Sequence, residues 1–352
     1  MAFPKPTYSR TQVQRAGELL VSANPTADLE KWLEAFQILS NWRACHGYPI
    51  NTFQATLRNK LDKIDKKALV AQRLKRTPSI LRKLERFPGM SLSRMQDIGG
   101  LRAVVGTLSQ LKKLHESYKK IGFSHKLVSE YNYVENPKSS GYRSIHLVYK
   151  YKLRKESPYD GLQLELQLRT RLQHAWATAV ETVGTFLEHS LKSSEGPDEW
   201  LNFFSLISSA FAYQEKTALV SGYEHLSKEQ TFQKTAAEAK RLGIVDMLTG
   251  YSSALKAIPS GKAKSAYYLV ELELSGENRR VNIIPFSLER LEEANAMYTL
   301  IEQQVAQGKA SQVVLVSAGS IDSLKKAYPN YFLDTHEFLQ QLSKISRAVA
   351  AA

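Results

Sequence analysis

The chain is nearly without cysteine: Cys45 stands alone among 352 residues. A lone cysteine excludes an internal disulfide framework and any zinc–cysteine cluster, and it fits a reducing cytoplasm. Long apolar runs are missing as well. No stretch approaches the about 18 apolar residues that a membrane helix requires. The segment Met1-Ala2-Phe3-Pro4-Lys5-Pro6 lacks the apolar core of a signal peptide, so secretion is not expected. No glycine loop ends in Gly-Lys-Ser or Gly-Lys-Thr, so any triphosphate bound here must be held by side chains. There is no internal repeat and no low-complexity tract.

What is present is ordinary in bulk and uneven in charge. With 43% hydrophobic and 23% charged residues, the composition is that of a soluble globular protein. The length suffices for two or three domains. The net charge is +14, and residues 1–200 carry it: they hold 32 Lys+Arg against 19 Asp+Glu, while residues 201–352 hold 16 against 15. A polyanion, nucleoside polyphosphate or RNA, would bind the first part; a solvated basic surface gives the same composition.

Apolar periodicity predicts helices over residues 1–90, including Leu29–Leu39, Thr52–Ile64 capped by Asn51, and a basic helix over Ala68–Phe87 interrupted near Pro78. Gly99-Gly100 leads into a strand, Leu101–Val105. A helix (Leu108–Ile121), a strand (Lys126–Glu130), a Pro/Gly/Ser loop and a strand (Ile145–Tyr151) follow. Then come an alternating strand around Glu165 and a helix over Arg171–Leu191. A polar break at 192–198 precedes helices at Trp200–Glu215 and Lys228–Leu242. Past the turn-forming Pro259-Ser260-Gly261-Lys262, a hairpin (Tyr267–Leu274, Val281–Phe286), a helix (Leu288–Gln304), a strand (Gln312–Val316) and helices at Ser320–Lys326 and Thr335–Ile345 are expected. The fold class is α+β, a mixed, mostly antiparallel sheet flanked by helices, with a small α/β unit at the C-terminus. The breaks divide the chain into 1–192, a helical connector at 193–258, and 259–352.

Chemistry concentrates between residues 72 and 170. In Leu162-Gln163-Leu164-Glu165-Leu166-Gln167-Leu168-Arg169 the leucines share one face and the polar residues the other. Glu165 is the candidate base for a hydroxyl nucleophile, with Gln167 and Arg169 beside it; a surface ion pair is the plainer reading. Asp97 before Gly99-Gly100 is placed to reach Mg²⁺, which needs only one or two carboxylates when phosphates complete its shell. A turn or cap role is its alternative. Arg73, Lys75, Ser79 and Lys83 lie in a basic run that could hold triphosphate, and taken alone that run reads more readily as a solvated helix. The loop Tyr133-Val134-Glu135-Asn136-Pro137-Lys138-Ser139-Ser140-Gly141-Tyr142-Arg143-Ser144-Ile145-His146 offers cations for phosphate and a ring for a base. Tyr142 could stack there or pack at the strand start. Lys138 and His146 are candidates for acceptor phosphate or sugar, and Arg143 is a possible charge contact.

Five ordered motifs then carry a resemblance: Arg73-x-Lys75, Ser79-Ile80-x-x-Lys83, Asp97, Pro137-Lys138-x-x-Gly141-Tyr142-Arg143-Ser144-Ile145-His146, and Glu165-x-Gln167-x-Arg169-Thr170. Over residues 68–190 the chain resembles the RelA/SpoT-type nucleotide pyrophosphokinases. The resemblance implies an ATP-dependent transfer of pyrophosphate to a ribose hydroxyl, with Arg73, Lys75, Ser79, Lys83 and Arg102 on ATP. It places Asp97 and Glu165 on Mg²⁺, and Lys138, Tyr142, Arg143, His146 and Gln167 on the acceptor. No His-Asp hydrolase motif precedes these residues. The flanks, Trp42–Pro49 and Tyr328–His336, resemble fused toxic small alarmone synthetases of the CapRel type. That branch implies a synthetase toxin held inactive by a C-terminal region that senses a phage capsid protein. The acceptor would then be the tRNA 3′ CCA end, with GDP or GTP as the alternative, and a non-catalytic RNA- or protein-binding module as the second alternative. Tyr328, Tyr331 and Phe332, clustered beside Pro329, are the expected regulatory contacts, with the core of a small domain as their alternative place. The C-terminal unit has His336 but no cysteine, so no structural metal is expected there.

Overall fold

The computed structural model of the chain describes residues 3–22, 29–119, 123–153, 155–187, 191, 194–253, 267–273, 280–309, 311–317 and 335–351. Helices α1 (Arg10–Ser22), α2 (Leu29–Cys45) and α3 (Gly47–Leu61) come first. They are followed by β1 (Leu69–Leu74), α4 (Thr77–Arg86), β2 (Gly99–Val105), α5 (Leu108–Lys119), β3 (Lys126–Asn132), β4 (Ile145–Lys150), β5 (Gln163–Thr170) and α6 (Arg171–Phe186). Helices α7 (Asp198–Glu215), α8 (Lys228–Arg241) and α9 (Ile244–Ser253) lead to β6 (Tyr267–Glu273), β7 (Arg280–Phe286), α10 (Leu291–Ala306), β8 (Ser311–Ser317) and α11 (His336–Ala350). Tyr328, Tyr331, Phe332 and the helix expected at 320–326 lie outside the described residues.

Three local expectations are corrected. The segment expected to open a basic helix at Ala68 is a strand instead: β1 pairs antiparallel with β2 from Leu69↔Val104 to Leu74↔Gly99. That ladder outweighs the weak local preference for helix. The helix begins only at Thr77, with Pro78 in the first turn, where the missing N–H would have no partner anyway. Helix α3 starts at Gly47, so Asn51 lies inside it and does not cap it. Helix α6 stops at Phe186, short of Leu191.

The strands form one sheet in the order β3-β4-β5-β2-β1-β8-β6-β7. The β2–β5 pair is parallel and the other described pairs are antiparallel, so the sheet is mixed and mostly antiparallel. Its apolar face carries Leu164, Leu166 and Leu168 of β5, Leu101 and Ala103 of β2, and Leu147 and Tyr149 of β4. These pack in one core with Phe36, Phe53 and Leu57 from α2 and α3. A second core joins α6, α7, α8 and α11 through Trp176, Phe204, Phe211 and Phe338.

The C-terminal strands do not stand apart as a self-contained unit. Strand β8 meets β1 at Arg73↔Val316 and so continues the sheet. Helix α10 adds a buried tie. Glu302, 0% exposed, accepts from the backbone N–H of Thr77 (2.8 Å), the Thr77 hydroxyl (2.7 Å), the Tyr298 hydroxyl (2.9 Å) and Arg43 Nη1 (2.6 Å). Arg43 is only 2% exposed and also donates from Nε to the Lys75 carbonyl at 3.0 Å. A carboxylate thus closes the N-terminus of α4, where the helix dipole favours it.

Removing one partner of this pair should cost far more than removing both. Glu302→Ala leaves Arg43 charged and buried, and should lose about 3–5 kcal/mol. Arg43→Met combined with Glu302→Met should recover most of that loss. Calorimetry on the wild type and these two variants checks it; a double variant no more stable than Glu302→Ala would show that the pair is not the source of the tie.

Candidate active site

The sheet register fixes what the polar face displays. Across β2–β5, Gly100 lies beside Glu165 and Arg102 beside Gln167. Across β1–β2, Arg73 lies opposite Gly100. Across β4–β5, His146 lies opposite Gln167. Residues opposite one another in a ladder share a face, so Arg73, Arg102, His146, Glu165 and Gln167 all point to one side. Strand β5 passes straight into α6 because Thr170 caps that helix in a reciprocal box with Gln173, which holds Arg169 at the last position of the polar face.

Both carboxylates are engaged at both oxygens. Asp97 accepts from Lys75 Nζ at 2.8 Å and Lys83 Nζ at 2.9 Å. Burial pushes its carboxyl up and so does the nearby Glu165, but the two ammonium groups outweigh them and hold it below the usual carboxylate range. Glu165 meets His146 Nδ1 at 2.6 Å and accepts from Gln167 Nε2 at 2.7 Å. Burial raises its pKa, yet His146 and then Gln167 pull it down to about 2. His146 moves the other way. Burial lowers its pKa, but Tyr142 and Glu165 raise it above the ordinary imidazole value. The chain continues from His146 Nε2 to the Tyr142 hydroxyl (2.7 Å), which accepts from Arg169 Nη2 (2.7 Å). Burial, and then the charge of Arg169, push the Arg102 guanidinium down to about 10. A cation lowered by its neighbours is stabilised by an incoming anion.

The loop before β4 is held by α7. Gly141 adopts φ +88°, and a Cβ there would meet Ser208 Cβ at 2.8 Å and the Phe204 carbonyl at 2.9 Å. Ser205 and Ser208 donate to the carbonyls of Ser139 and Gly141. Two acceptor-site expectations change as a result. Tyr142 is 4% exposed and packs with Trp176, so it offers no open ring face in this state. Arg143 is 3% exposed and donates from Nε to Ser208 Oγ at 2.9 Å; it ties the loop to α7 and points away from the polar face. Lys138 is exposed, with its ammonium 4.6 Å from the Tyr133 ring centre. Ser79 sits half-buried in the first turn of α4. The structure therefore brings Lys75, Lys83, Asp97, Arg102, His146, Glu165 and Gln167 together around one face. Arg43 and Glu302 escaped sequence reading, although a charged residue inside the apolar run Trp42-Arg43-Ala44-Cys45 is a signal that a buried partner exists.

Residues 72–185 match the family model described as a region found in RelA / SpoT proteins. Every candidate residue from Arg73 to Gln167 falls inside that span. The chain is similar to the GTP pyrophosphokinase YjbM of Bacillus subtilis (strain 168), 35% identical over 127 residues, covering 35% of this chain and 54% of that protein. The chain thus spans about half the length of that curated relative. Among solved structures, it is similar to small alarmone synthetase 1 from Bacillus subtilis bound to its product pppGpp. That match has a TM-score of 0.43 and 23% identity, over 53% of this chain and 94% of that one. It is also similar to small alarmone synthetase 2 from the same organism, with TM-score 0.40 and 18% identity, over 62% and 100%.

The His146–Glu165 pair generates a pH signature. His146, raised when folded, contributes stability that is fully present below its unfolded value of 6.5 and lost as pH rises through the folded one. Glu165, depressed when folded, contributes stability present above 4.5 and lost as pH falls through about 2. The loss of melting temperature caused by His146→Gln should therefore be largest at about pH 5.5 and shrink at about pH 9. A loss that does not vary with pH would mean that His146 is neutral throughout.

Proposed function

We propose that this chain is a cytoplasmic, ATP-dependent pyrophosphokinase. Its acceptor is the ribose 3′-hydroxyl at the tRNA 3′ CCA end, and its action inhibits translation in anti-phage defence. One observation carries the catalytic part. A single sheet face gathers Arg73, Lys75, Lys83, Arg102 and Arg169 around two carboxylates, Asp97 and Glu165. Phosphoryl transfer needs positioning and charge neutralisation more than covalent help, and that face supplies both. The acceptor oxygen attacks the β-phosphorus of ATP, the bond from that phosphorus to the α–β bridging oxygen breaks, and AMP leaves. Glu165 receives or orients the hydroxyl proton. Held at about 2 by His146, it becomes a stronger base when the acceptor hydroxyl displaces the imidazole.

The donor set suits Mg²⁺ that arrives on the nucleotide. Asp97 and Glu165 are near enough for one charge to raise the other's pKa, and among the described residues no three His, Cys, Asp or Glu side chains cluster as a resident metal site. One or two carboxylates plus phosphate oxygens fit this ion. Asp97 and Glu165 would hold it, and it would neutralise phosphate charge. No described helix is long and apolar enough to cross a membrane.

Regulation is the second part of the proposal. Residues 1–192 are the toxin, 193–258 the connector, and 259–352 the element that holds the enzyme inactive until it meets a phage capsid protein. The resemblance of the flanks motivates this, and the Glu302 tie to α4 supports it, because it couples the C-terminal part to the segment that carries Lys75, Ser79 and Lys83. GDP or GTP is the second acceptor reading, favoured by the similarity to a GTP pyrophosphokinase.

Incubation with γ-labelled ATP and either deacylated tRNA or GDP separates the readings. Label at the tRNA 3′ end is expected; transfer to GDP alone would overturn the tRNA acceptor. Glu165→Gln should reduce transfer by about 10²–10⁴-fold with little change in ATP affinity. Wild-type rates in that variant would remove Glu165 from the chemistry.

A further inference from the structure

Tyr142 was the expected base platform, yet it is enclosed by Trp176 and its hydroxyl is engaged by His146 and Arg169. Two other tyrosines hold the open position. Tyr131 lies opposite His146 in the β3–β4 ladder, so its side chain shares the polar face. Tyr133 extends that ladder by donating its N–H to the Ser144 carbonyl at 2.9 Å. The two rings lie 3° from parallel with centroids 5.9 Å apart. Tyr133 sets its ring edge-to-face with the His146 imidazole at 5.3 Å, and His146 touches Glu165. Lys138 covers Tyr133 from the loop side. Tyr131 is 43% exposed and sits on the end strand of the sheet, with no further strand beyond it. A row of rings therefore runs outward from the catalytic carboxylate: His146, then Tyr133, then the open Tyr131.

We propose that Tyr131 and Tyr133, with Lys138 beside them, form a stacking ramp for the nucleotides that precede the acceptor at the 3′ end of a single-stranded RNA. This deepens the tRNA reading above and rests on it. A mononucleotide whose ribose reaches Glu165 has no second base to lay on the exposed side of Tyr131, which stacks on Tyr133 at 5.9 Å. A strand places its next bases there. Tyrosine faces accept any base, and a lone ammonium beside the ramp suits the phosphates between them. The ramp thus selects for chain length and single-strandedness, because ring faces stack on any base.

The test is a length series in equilibrium binding to the full chain. The probes are dye-labelled RNA hairpins whose single-stranded 3′ overhang is A, CA or CCA, so the duplex contribution stays constant. For the wild type the Kd should tighten by about 10-fold for each base that reaches the ramp. In Tyr131→Ala that gain with length should vanish for the longest overhang, while Tyr131→Phe should keep it. Tyr131 is exposed, so its truncation should leave the melting temperature unchanged, and that is measured alongside. A gain with length that survives in Tyr131→Ala would overturn the ramp and leave the RNA acceptor standing. A wild type that binds none of the hairpins, or binds all three equally, would overturn the ramp. If that wild type also transfers label only to GDP, the RNA acceptor reading falls with it.

Discussion

The alternation of side chains along β5 is the constraint on which the rest of this structure depends. A strand has two faces, and here one is committed to the core by Leu164, Leu166 and Leu168. Glu165, Gln167 and Arg169 have no choice but to share the other. Register then extends the arrangement sideways, because Arg102 must stand beside Gln167 and His146 opposite it. A slip of one residue would drive Glu165 into the leucine layer and expose the leucines, at a cost no local adjustment could recover. The apolar core is therefore what positions the catalytic face. The helices α2 and α3 hold it in place by filling the opposite side, and α2 reaches the site through Arg43, which donates to the Lys75 carbonyl.

Two ties from the C-terminal part act on opposite sides of this face. On the donor side, Glu302 closes α4 and holds Arg43 against the Lys75 carbonyl, while β8 pairs with β1 at Arg73. On the acceptor side, Phe338 of α11 packs against Phe204 and Phe211 of α7, the helix whose serines hold the loop at Ser139 and Gly141. Neither tie is a peripheral contact. A buried ion pair contributes little net stability when it is intact, yet it is costly to break on one side. Such a pair makes the geometry of α4 depend on the presence of α10 in one position, which is what a coupled control element needs.

Much of this was legible in the sequence. The alternating strand identified its own two faces, and the Gly99-Gly100 entry, the loop before Ile145 and the C-terminal hairpin all emerged where their turn residues placed them. Two kinds of information were not local. The strand at Leu69–Leu74 was hidden because a basic run with apolar residues at mixed spacing satisfies a helix as well as an edge of a ladder; only β2, thirty residues later in the chain, decides between them. The fate of Tyr142 and Arg143 was hidden for the same reason, since Tyr142 is covered by Trp176 of α6 and Arg143 is held by Ser208 of α7, both well downstream in the chain. The ordered motifs named Lys75, Lys83 and Asp97, which the fold brings into contact, but said nothing about which aromatic face remains open.

On the proposed reading, the charges of this face set what kind of anion can enter it. Asp97 is paired with Lys75 and Lys83, and Glu165 with His146, so both carboxylates of this face sit in internal ion pairs. These pairs cost desolvation that their mutual attraction only partly recovers. Arg102 has no such carboxylate within reach in the pairs described. Its pKa is lowered by burial and by Arg169, and the charge of Glu181 offsets them in part. A tetra-anionic nucleotide on this face, as proposed, would meet one guanidinium whose repulsion it relieves and two ammonium groups that can transfer from Asp97 to phosphate. That transfer would free the Asp97 oxygens, which could then hold a nucleotide-borne cation. A monoanion lacks the charge to draw both lysines away from Asp97, so on the proposed reading these internal pairs favour a more highly charged ligand.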